Sequence, residues 1–209
     1  MYEKVVKRAI DIVLSLLGLI LLSWLFILIA LIIVIDDPGT PFFAQKRVSR
    51  GKGTFWLYKF RTMRRSTPHD MPTHLLENPE QYITRVGGFL RRTSLDELPQ
   101  FLNILKGDIS IVGPRPALWN QEDLIAERDR YGANDIMPGL TGWAQINGRD
   151  ELEIIEKARL DGEYAAVLQK GGWKAFTMDI KCFWGTISSV LRSEGVVEGG
   201  TGTKQRTGK

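Results

Sequence analysis

From Ile12 to Ile35 the chain carries no charged residue, and no other feature narrows its fold so far. As a helix this run would reach roughly 36 Å, enough to cross the hydrocarbon core of a bilayer. A soluble core helix seldom runs so long without a polar face. A cleaved signal peptide has an apolar region of about 7 to 15 residues and a small-residue cleavage site, whereas here "LIIVIDDPGT" follows. The segment is therefore expected to be embedded in a membrane. Lys4, Lys7 and Arg8 precede it and a larger basic block follows it. Basic flanks on both sides suit a helix that enters and returns to the cytoplasmic face; a single span with its larger basic flank inside is the alternative. Re-entry needs a break, and Ser23, near the middle of the run, can bond back to a carbonyl and bend the helix.

The net charge of +4 understates how the charge is distributed. Between Pro38 and Arg65 lie eight basic residues, Lys46, Arg47, Arg50, Lys52, Lys59, Arg61, Arg64 and Arg65, and no acid. Such a block can meet nucleic acid, anionic headgroups or a polyphosphate, and its place beside the apolar run favours the last two. One cysteine, Cys182, excludes an internal disulfide and reads as a packing residue. His69 and His74 are the only histidines, so a His-rich zinc site cannot be built. Carboxylates remain as ligands for any metal, which points to Mg²⁺ or another hard cation.

The stretch "SLDELPQ", residues 94–100, sets Asp96 beside Glu97 shortly after Arg91 and Arg92. Ser94 and Glu97 have capping-box spacing, and Leu98, Phe101, Leu102 and Leu105 follow at helical intervals. Pro99 fits poorly inside a helix capped by Ser94, because its ring would meet the carbonyl four residues back. If the helix begins nearer Pro99, Asp96 sits at its mouth. In either case the helix dipole and the nearby guanidinium groups are expected to favour its ionised form, the state of a nucleophile or a metal ligand.

Along the rest of the chain, "PFFAQKRV" and "TFWLYKF", joined by "SRGKG", predict a β-hairpin. Lys59 and Arg61 alternate with Tyr58 and Phe60 there, making one face basic. Residues 66–82 read as a surface excursion, 98–106 as a helix, and "DISIV" as a strand running into the stiff turn "GPRP". Arg115, fixed between two prolines, is either presented for bidentate phosphate binding or solvated on a surface turn. A helix near 120–131 leads to "MPGLTGWAQINGRD", a series of turn signals that can bring backbone N–H groups and Arg149 to a phosphate or can simply join two elements. Helices are expected near 151–168 and 173–193. In the second, Trp173, Phe176, Ile180, Phe183, Trp184, Ile187 and Leu191 form a stripe that suits a core or, with Lys174 and Lys181 alongside, a membrane surface. The Gly-rich tail from Gly195 is expected to be disordered.

Together these pieces resemble the small bacterial monotopic phosphoglycosyl transferases, the bacterial sugar transferase family. The resemblance rests on the apolar segment, "YKFRTM" (58–63), "LRRTSLDELPQFLNILKGDISIVGPRPAL" (90–118), "PGLTGWAQINGR" (138–149) and the closing "DI" to "SEGV" helix. The long central string is the specific part. The chain looks like the stand-alone form of the family, without extra membrane helices or an accessory domain. The family commonly breaks its membrane helix at Ser-Pro; this chain has Ser23-Trp24.

The resemblance implies an α+β fold, mostly helical with a small β-hairpin or sheet. It implies a membrane-embedded re-entrant helix over 1–36, a catalytic domain over 37–194 on the cytoplasmic face of the bacterial inner membrane, and a tail over 195–209. The implied reaction moves sugar 1-phosphate from a UDP-sugar to polyprenyl phosphate, releasing UMP. Asp96 would attack the β-phosphate, Glu97 would help hold Mg²⁺, and Arg91 would serve the active site. Arg115, Gln145, Asn147 and Arg149 lie in motifs near the nucleotide or phosphates, and Lys59 and Arg61 in "YKFRTM" join the substrate-binding set. The implied partners are UDP-sugar, polyprenyl phosphate and membrane lipids, with no nucleic acid. Adjacent helical residues point about 100° apart, so Asp96 and Glu97 suit a nucleophile beside a metal ligand better than an acid and base flanking one bond. Two rivals stand beside this reading. In one, Asp96 is a base in a direct transfer; in the other, the protein is a non-catalytic anchor that binds anionic lipid or a partner through the 38–65 block.

Overall fold

The computed structural model describes residues 2–67, 79–148 and 152–192. Arg149, most of the 66–82 excursion and the 195–209 tail lie outside the described residues. The chain is α+β and mostly helical, with two separate two-stranded sheets among the described residues.

The apolar run does not form one straight helix. A π-helical segment, Tyr2–Lys7, leads into α1 (Arg8–Leu21), and α2 (Ser23–Asp36) follows after Leu22 at a bend of 62°. Ser23 Oγ donates to the carbonyl of Ile20 at 2.9 Å, at the bend itself. No single helix among the described residues is long and apolar enough to cross a membrane; only the bent pair has the length and composition. Both feet of the pair are tied to the rest of the protein. Arg8 donates to the carbonyls of Ile104 (2.5 Å) and Leu105 (3.0 Å), and Asp11 accepts from Ser110 Oγ (2.7 Å) and Ile111 N (3.0 Å). At the far end Asp36 accepts from Val86 N at 3.3 Å and Asp37 from Arg61 at 2.7 Å. Between the feet, Ile20, Leu21, Trp24, Ile27 and Leu31 are exposed.

The hairpin forms as expected, from β1 (Phe42–Val48) and β2 (Thr54–Phe60), paired antiparallel with Gln45 opposite Leu57. Its inner residues Phe55 and Leu57 reach the main core, while Phe60 packs with Ile29, Ile33 and Leu90 between α2 and α3 (Arg85–Arg92). Helix α4 (Gln100–Lys106) follows, and then β3 (Ser110–Val112). Helix α5 (Glu122–Asp129) confirms the polar helix expected near 120–131.

The "MPGLTGWAQINGRD" stretch departs from the turns predicted for it. It holds β4 (Gly139–Thr141), parallel to β3, and a short helix, α6 (Trp143–Ile146). The glycines that signal turns are needed there for another reason. A Cβ on Gly142 would stand 2.1 Å from the carbonyl oxygen of Gly113, so both chains approach at a distance only glycine permits.

Helices α7 (Ile154–Lys170) and α8 (Gly172–Arg192) close the fold. The core reading of the α8 aromatic stripe is overturned. Ala175, Asp179 and Cys182 form the buried face, while Trp173, Ile180, Phe183, Trp184 and Ile187 are exposed. Small side chains let α8 lie close on α7, and the large ones are left outside. Asp179 is fully used on the buried face: it accepts from Lys7 (2.8 Å), Tyr2 (2.6 Å) and Tyr164 (2.6 Å), joining the N-terminal segment to α7 and α8.

One buried ion pair carries the α5–α7 contact. Arg128 directs Nε (2.9 Å) and Nη2 (2.5 Å) at Asp161 Oδ2, with side-chain exposures of 4% and 1%. Removing one partner strands a buried charge, which costs about 3–5 kcal/mol. Asp161→Leu should therefore lower Tm by about 10 °C in thermal unfolding of the detergent-solubilised protein. The double variant Arg128→Leu/Asp161→Leu should recover much of that loss.

Candidate active site

The chain reaches the carboxylate pair through a sharp turn. Ser94, after α3, adopts the left-handed region (φ 55°, ψ 16°) and makes no side-chain cap, so the capping box does not form. A 3₁₀ turn, Leu95–Glu97, follows, and α4 starts only at Gln100 with Pro99 as its N-cap. The later of the two helix starts read from the sequence is the one adopted, because proline closes the ladder of any earlier helix. A non-glycine residue held in the left-handed region costs about 1 kcal/mol or more; here it aims two neighbouring acids at the same cluster of cations.

Asn103 fixes where that turn sits. Fully buried on α4, it accepts from Tyr58 N (2.9 Å) and donates to Trp56 O (2.7 Å) and Asp108 (2.8 Å), locking α4 to the edge of β2. The sequence reading missed this residue, although an Asn inside "QFLNILK" is the kind of polar break in an apolar face that signals a buried bond. The hairpin positions a second group. Val48 N donates to Ala117 O (2.9 Å) and Arg47 donates to Pro116 O (3.0 Å), so β1 extends onto the Pro-Arg-Pro turn and sets Arg115.

Three segments thus converge on Glu97. Lys59 Nζ, from β2, lies 2.8 Å from Glu97 Oε1 and 3.7 Å from Asp96 Oδ2; Arg115 Nη2 lies 2.6 Å from Glu97 Oε1. The basic face of β2 is therefore not a solvated one at Lys59, and Arg115 is engaged rather than solvated. Burial disfavours charge on both acids. At Glu97 it is outweighed by Arg115 and Lys59, which hold the carboxyl well below its usual range. At Asp96 burial prevails over Lys59, Arg91 and Arg115, and the negative charge of Glu97 adds to it, so its pKa is raised. That reverses the sequence expectation for Asp96, since neither a long helix dipole nor a guanidinium in direct contact offsets its desolvation.

The other candidates are distributed less tightly. Arg91 donates from Nε to Thr62 Oγ1 at 2.9 Å, on the side of the turn before Ser94. Arg61 is engaged by Asp37 at the foot of α2. Gln145, on α6, faces a cavity that also contacts Glu97 and Arg115, and both polar atoms of its amide are buried without a hydrogen-bond partner. Asn147 is exposed and donates to Trp143 O at 2.8 Å, closing α6. Among the described residues no three of His, Cys, Asp and Glu converge. Asp96 and Glu97 are still an adequate donor set for Mg²⁺, which is commonly held by one or two carboxylates with waters and substrate phosphates completing the shell. Glu97 Oε2, 3.5 Å from Arg115 Nη1, is the less committed of its two oxygens.

Comparison with known proteins bears on what such a site serves. The chain is 38% identical to an uncharacterized sugar transferase, EpsL, of Bacillus subtilis, over 97% of its own length and 95% of that protein's. It is 43% identical to UDP-glucose:undecaprenyl-phosphate glucose-1-phosphate transferase of Escherichia coli, covering 74% of this chain and 34% of that enzyme. A UDP-N-acetylgalactosamine-undecaprenyl-phosphate N-acetylgalactosaminephosphotransferase of Aeromonas hydrophila is 38% identical over 68% of the chain and 34% of its own length. The chain thus spans about a third of the length of these last two enzymes. Residues 2–193 match the bacterial sugar transferase family, and the chain belongs to it.

Proposed function

We propose that the protein transfers sugar 1-phosphate from a UDP-sugar to polyprenyl phosphate, with Asp96 as the nucleophile, at the cytoplasmic face of the bacterial inner membrane. On this reading the bent pair within residues 1–36 is embedded in the bilayer and re-enters its own side, and residues 37–194 form the catalytic part. The observation that carries the proposal is the buried Asp96–Glu97 pair with Lys59 and Arg115 gathered around it. A nucleophilic anion attacking a diphosphate needs cations at the same point, and this cluster supplies them.

In the first step an Asp96 oxygen bonds to the sugar-bearing phosphorus, and the bond from that phosphorus to the UMP oxygen breaks with its electron pair leaving on UMP. A phosphate oxygen of the lipid then attacks the same phosphorus and the Asp96 carboxylate departs. Dividing the transfer this way lets each bulky anion react alone with the enzyme. Lys59, within reach of both acids, favours the ionised form of Asp96 and offsets charge growing on the phosphoryl oxygens. Arg115, held by its two prolines and by β1, is pre-oriented for the same oxygens. Mg²⁺ bound at Glu97 and the substrate phosphates would supply further neutralisation of the leaving UMP.

The non-catalytic anchor has less support. Of the eight cations of the 38–65 block, Arg47, Lys59 and Arg61 are drawn inward to Pro116, Glu97 and Asp37, while Lys46, Arg50 and Lys52 are exposed and meet Trp119, Glu3 and Asp129 at the surface. A block that served only to hold anionic lipid gives no reason for the three turned inward, one of which, Lys59, lies between the two carboxylates. The relatives include enzymes named for a glucose and for an N-acetylgalactosamine donor, and both sugars belong in the donor panel.

Intact-protein mass after incubation with Mg²⁺ and a panel of UDP-sugars, without lipid acceptor, tests the nucleophile. Wild type should gain one phospho-sugar and release UMP; Asp96→Asn should gain nothing and lose about 10³-fold or more in turnover. Turnover without any adduct would move Asp96 to the role of a base in direct transfer. A second expectation follows from the raised pKa of Asp96. Single-turnover UMP release should fall on acidification at a pH above the ordinary carboxylate value of about 3.9. In Lys59→Gln, which removes a cation that lowers this pKa, the acid limb should move to higher pH; an unmoved limb would separate Lys59 from Asp96.

A further inference from the structure

A cavity of about 340 Å³ lies between α1, α4 and α8 and touches the carboxylate cluster at one end. Its walls are apolar, formed among others by Leu14, Phe101, Ile111, Leu140, Phe183 and Ile187. At its polar end stand Glu97, Arg115 and Gln145, whose amide is buried and has no partner inside the protein. An unsatisfied buried amide costs about 1–3 kcal/mol unless a ligand or water completes it. A sugar or a nucleobase would leave its own polar groups facing bare hydrocarbon along most of this cavity. A hydrocarbon chain with a polar head satisfies both ends.

The rims of the cavity indicate where such a chain would go. Leu14 belongs to α1, whose outward residues Val13, Leu17 and Ile20 are exposed, and Phe183 and Ile187 belong to the exposed apolar face of α8 with Ile180 and Trp184. The cavity therefore opens between two uncovered apolar surfaces, and a chain leaving it would stay in contact with one or the other. The uncovered apolar surface of α1 continues along α2, where Trp24, Ile27, Leu31 and Ile35 are exposed.

We propose that this cavity seats the phosphate-proximal isoprene units of the polyprenyl phosphate acceptor, with Gln145 donating to its phosphate end and α8 forming the wall that separates the acceptor chain from water. The proposal rests on the acceptor named in the functional reading above and adds its location. It assigns a role to the outward stripe of α8, which packing of the core leaves unexplained.

Photolabelling of the wild-type protein in nanodiscs tests it without using turnover. The probe is a short polyprenyl phosphate carrying a diazirine on its first isoprene unit, applied with no UDP-sugar present. Labelled peptides should contain Leu14 or residues 183–190, and Ile187→Trp, which fills the cavity, should reduce labelling about tenfold. In steady-state assays the same variant should raise KM for polyprenyl phosphate about tenfold while KM for the UDP-sugar stays within about twofold. Val190→Trp, at the same wall, serves as a second variant should Ile187→Trp fail to fold. Labels elsewhere, labelling undiminished by both variants, or equal competition by phosphatidylglycerol would overturn the proposal, the last by showing a general lipid seat. Failure of the functional reading is a separate result: wild type would label at these residues yet release no UMP from any donor.

Discussion

The bond on which the rest of the site depends is the one between Glu97 and its two cations. Lys59 comes from the hairpin, Arg115 from the turn after β3, and Glu97 from the 3₁₀ turn before α4. Taken singly, none of these segments has a reason to meet the others, since hairpin, turn and helix are separated by long stretches of chain. A buried carboxylate without partners would take up a proton or unfold its surroundings. With two cations at hydrogen-bond distance it stays ionised and gathers three segments at one point. Breaking such an arrangement costs more than making it gains, so its value is less in stability than in placement. Asp96, next in sequence, is thereby brought within 3.7 Å of Lys59 without being neutralised by direct contact.

The two carboxylates illustrate how adjacent residues acquire different chemistry. They share a turn, a degree of burial and the same cations, yet their pKa values move in opposite directions because only Glu97 receives the hydrogen bonds. A poorly compensated anion is a better nucleophile than one already held by a lysine and an arginine. The less compensated Asp96 suits attack on phosphorus, and the well-compensated Glu97 suits holding positive charge in place. This division is the one that the proposed mechanism uses.

How far the sequence revealed this depended on the range of the interaction. The hairpin, α4, α5, α7 and α8 all lay in local patterns of alternation, helical spacing and proline position. The bend near Ser23 was legible because serine in a long apolar helix has few other uses. Long-range pairing was not legible. Gly139 and Gly142 signal turns by themselves, and only the passage of the Gly113 backbone within contact distance makes them part of a parallel strand pair and its flank. The aromatic stripe of α8 is equally consistent with core or surface, and Ala175 and Cys182 decide the matter by allowing closer approach on the opposite face. The sign of the Asp96 shift required burial, which no local pattern reports.

The bent helix pair shows how a missing residue can be replaced by tertiary structure. Proline bends a helix by removing a donor and by steric conflict, and this chain has Trp24 where the family commonly places it. A single serine bonding back to Ile20 gives a weaker local cause. Further support for the bent arrangement lies at the feet. Arg8 and Asp11 fix the start of α1 to α4 and β3, while Asp36 and Asp37 fix the end of α2 to α3 and to Arg61 just beyond β2. Two helices of 14 residues each, anchored at opposite ends to one body, reach both anchors with a bend of 62° between them. A straight helix of that length would span roughly 40 Å at 1.5 Å per residue; the bend shortens this little and chiefly turns α2 toward α3 and Arg61. Four polar side chains outside the apolar stretch thus hold the bent pair at both ends, and Arg8 and Asp11 among them keep α1, with Leu14 facing the cavity, against α4 and β3 beside the carboxylate pair.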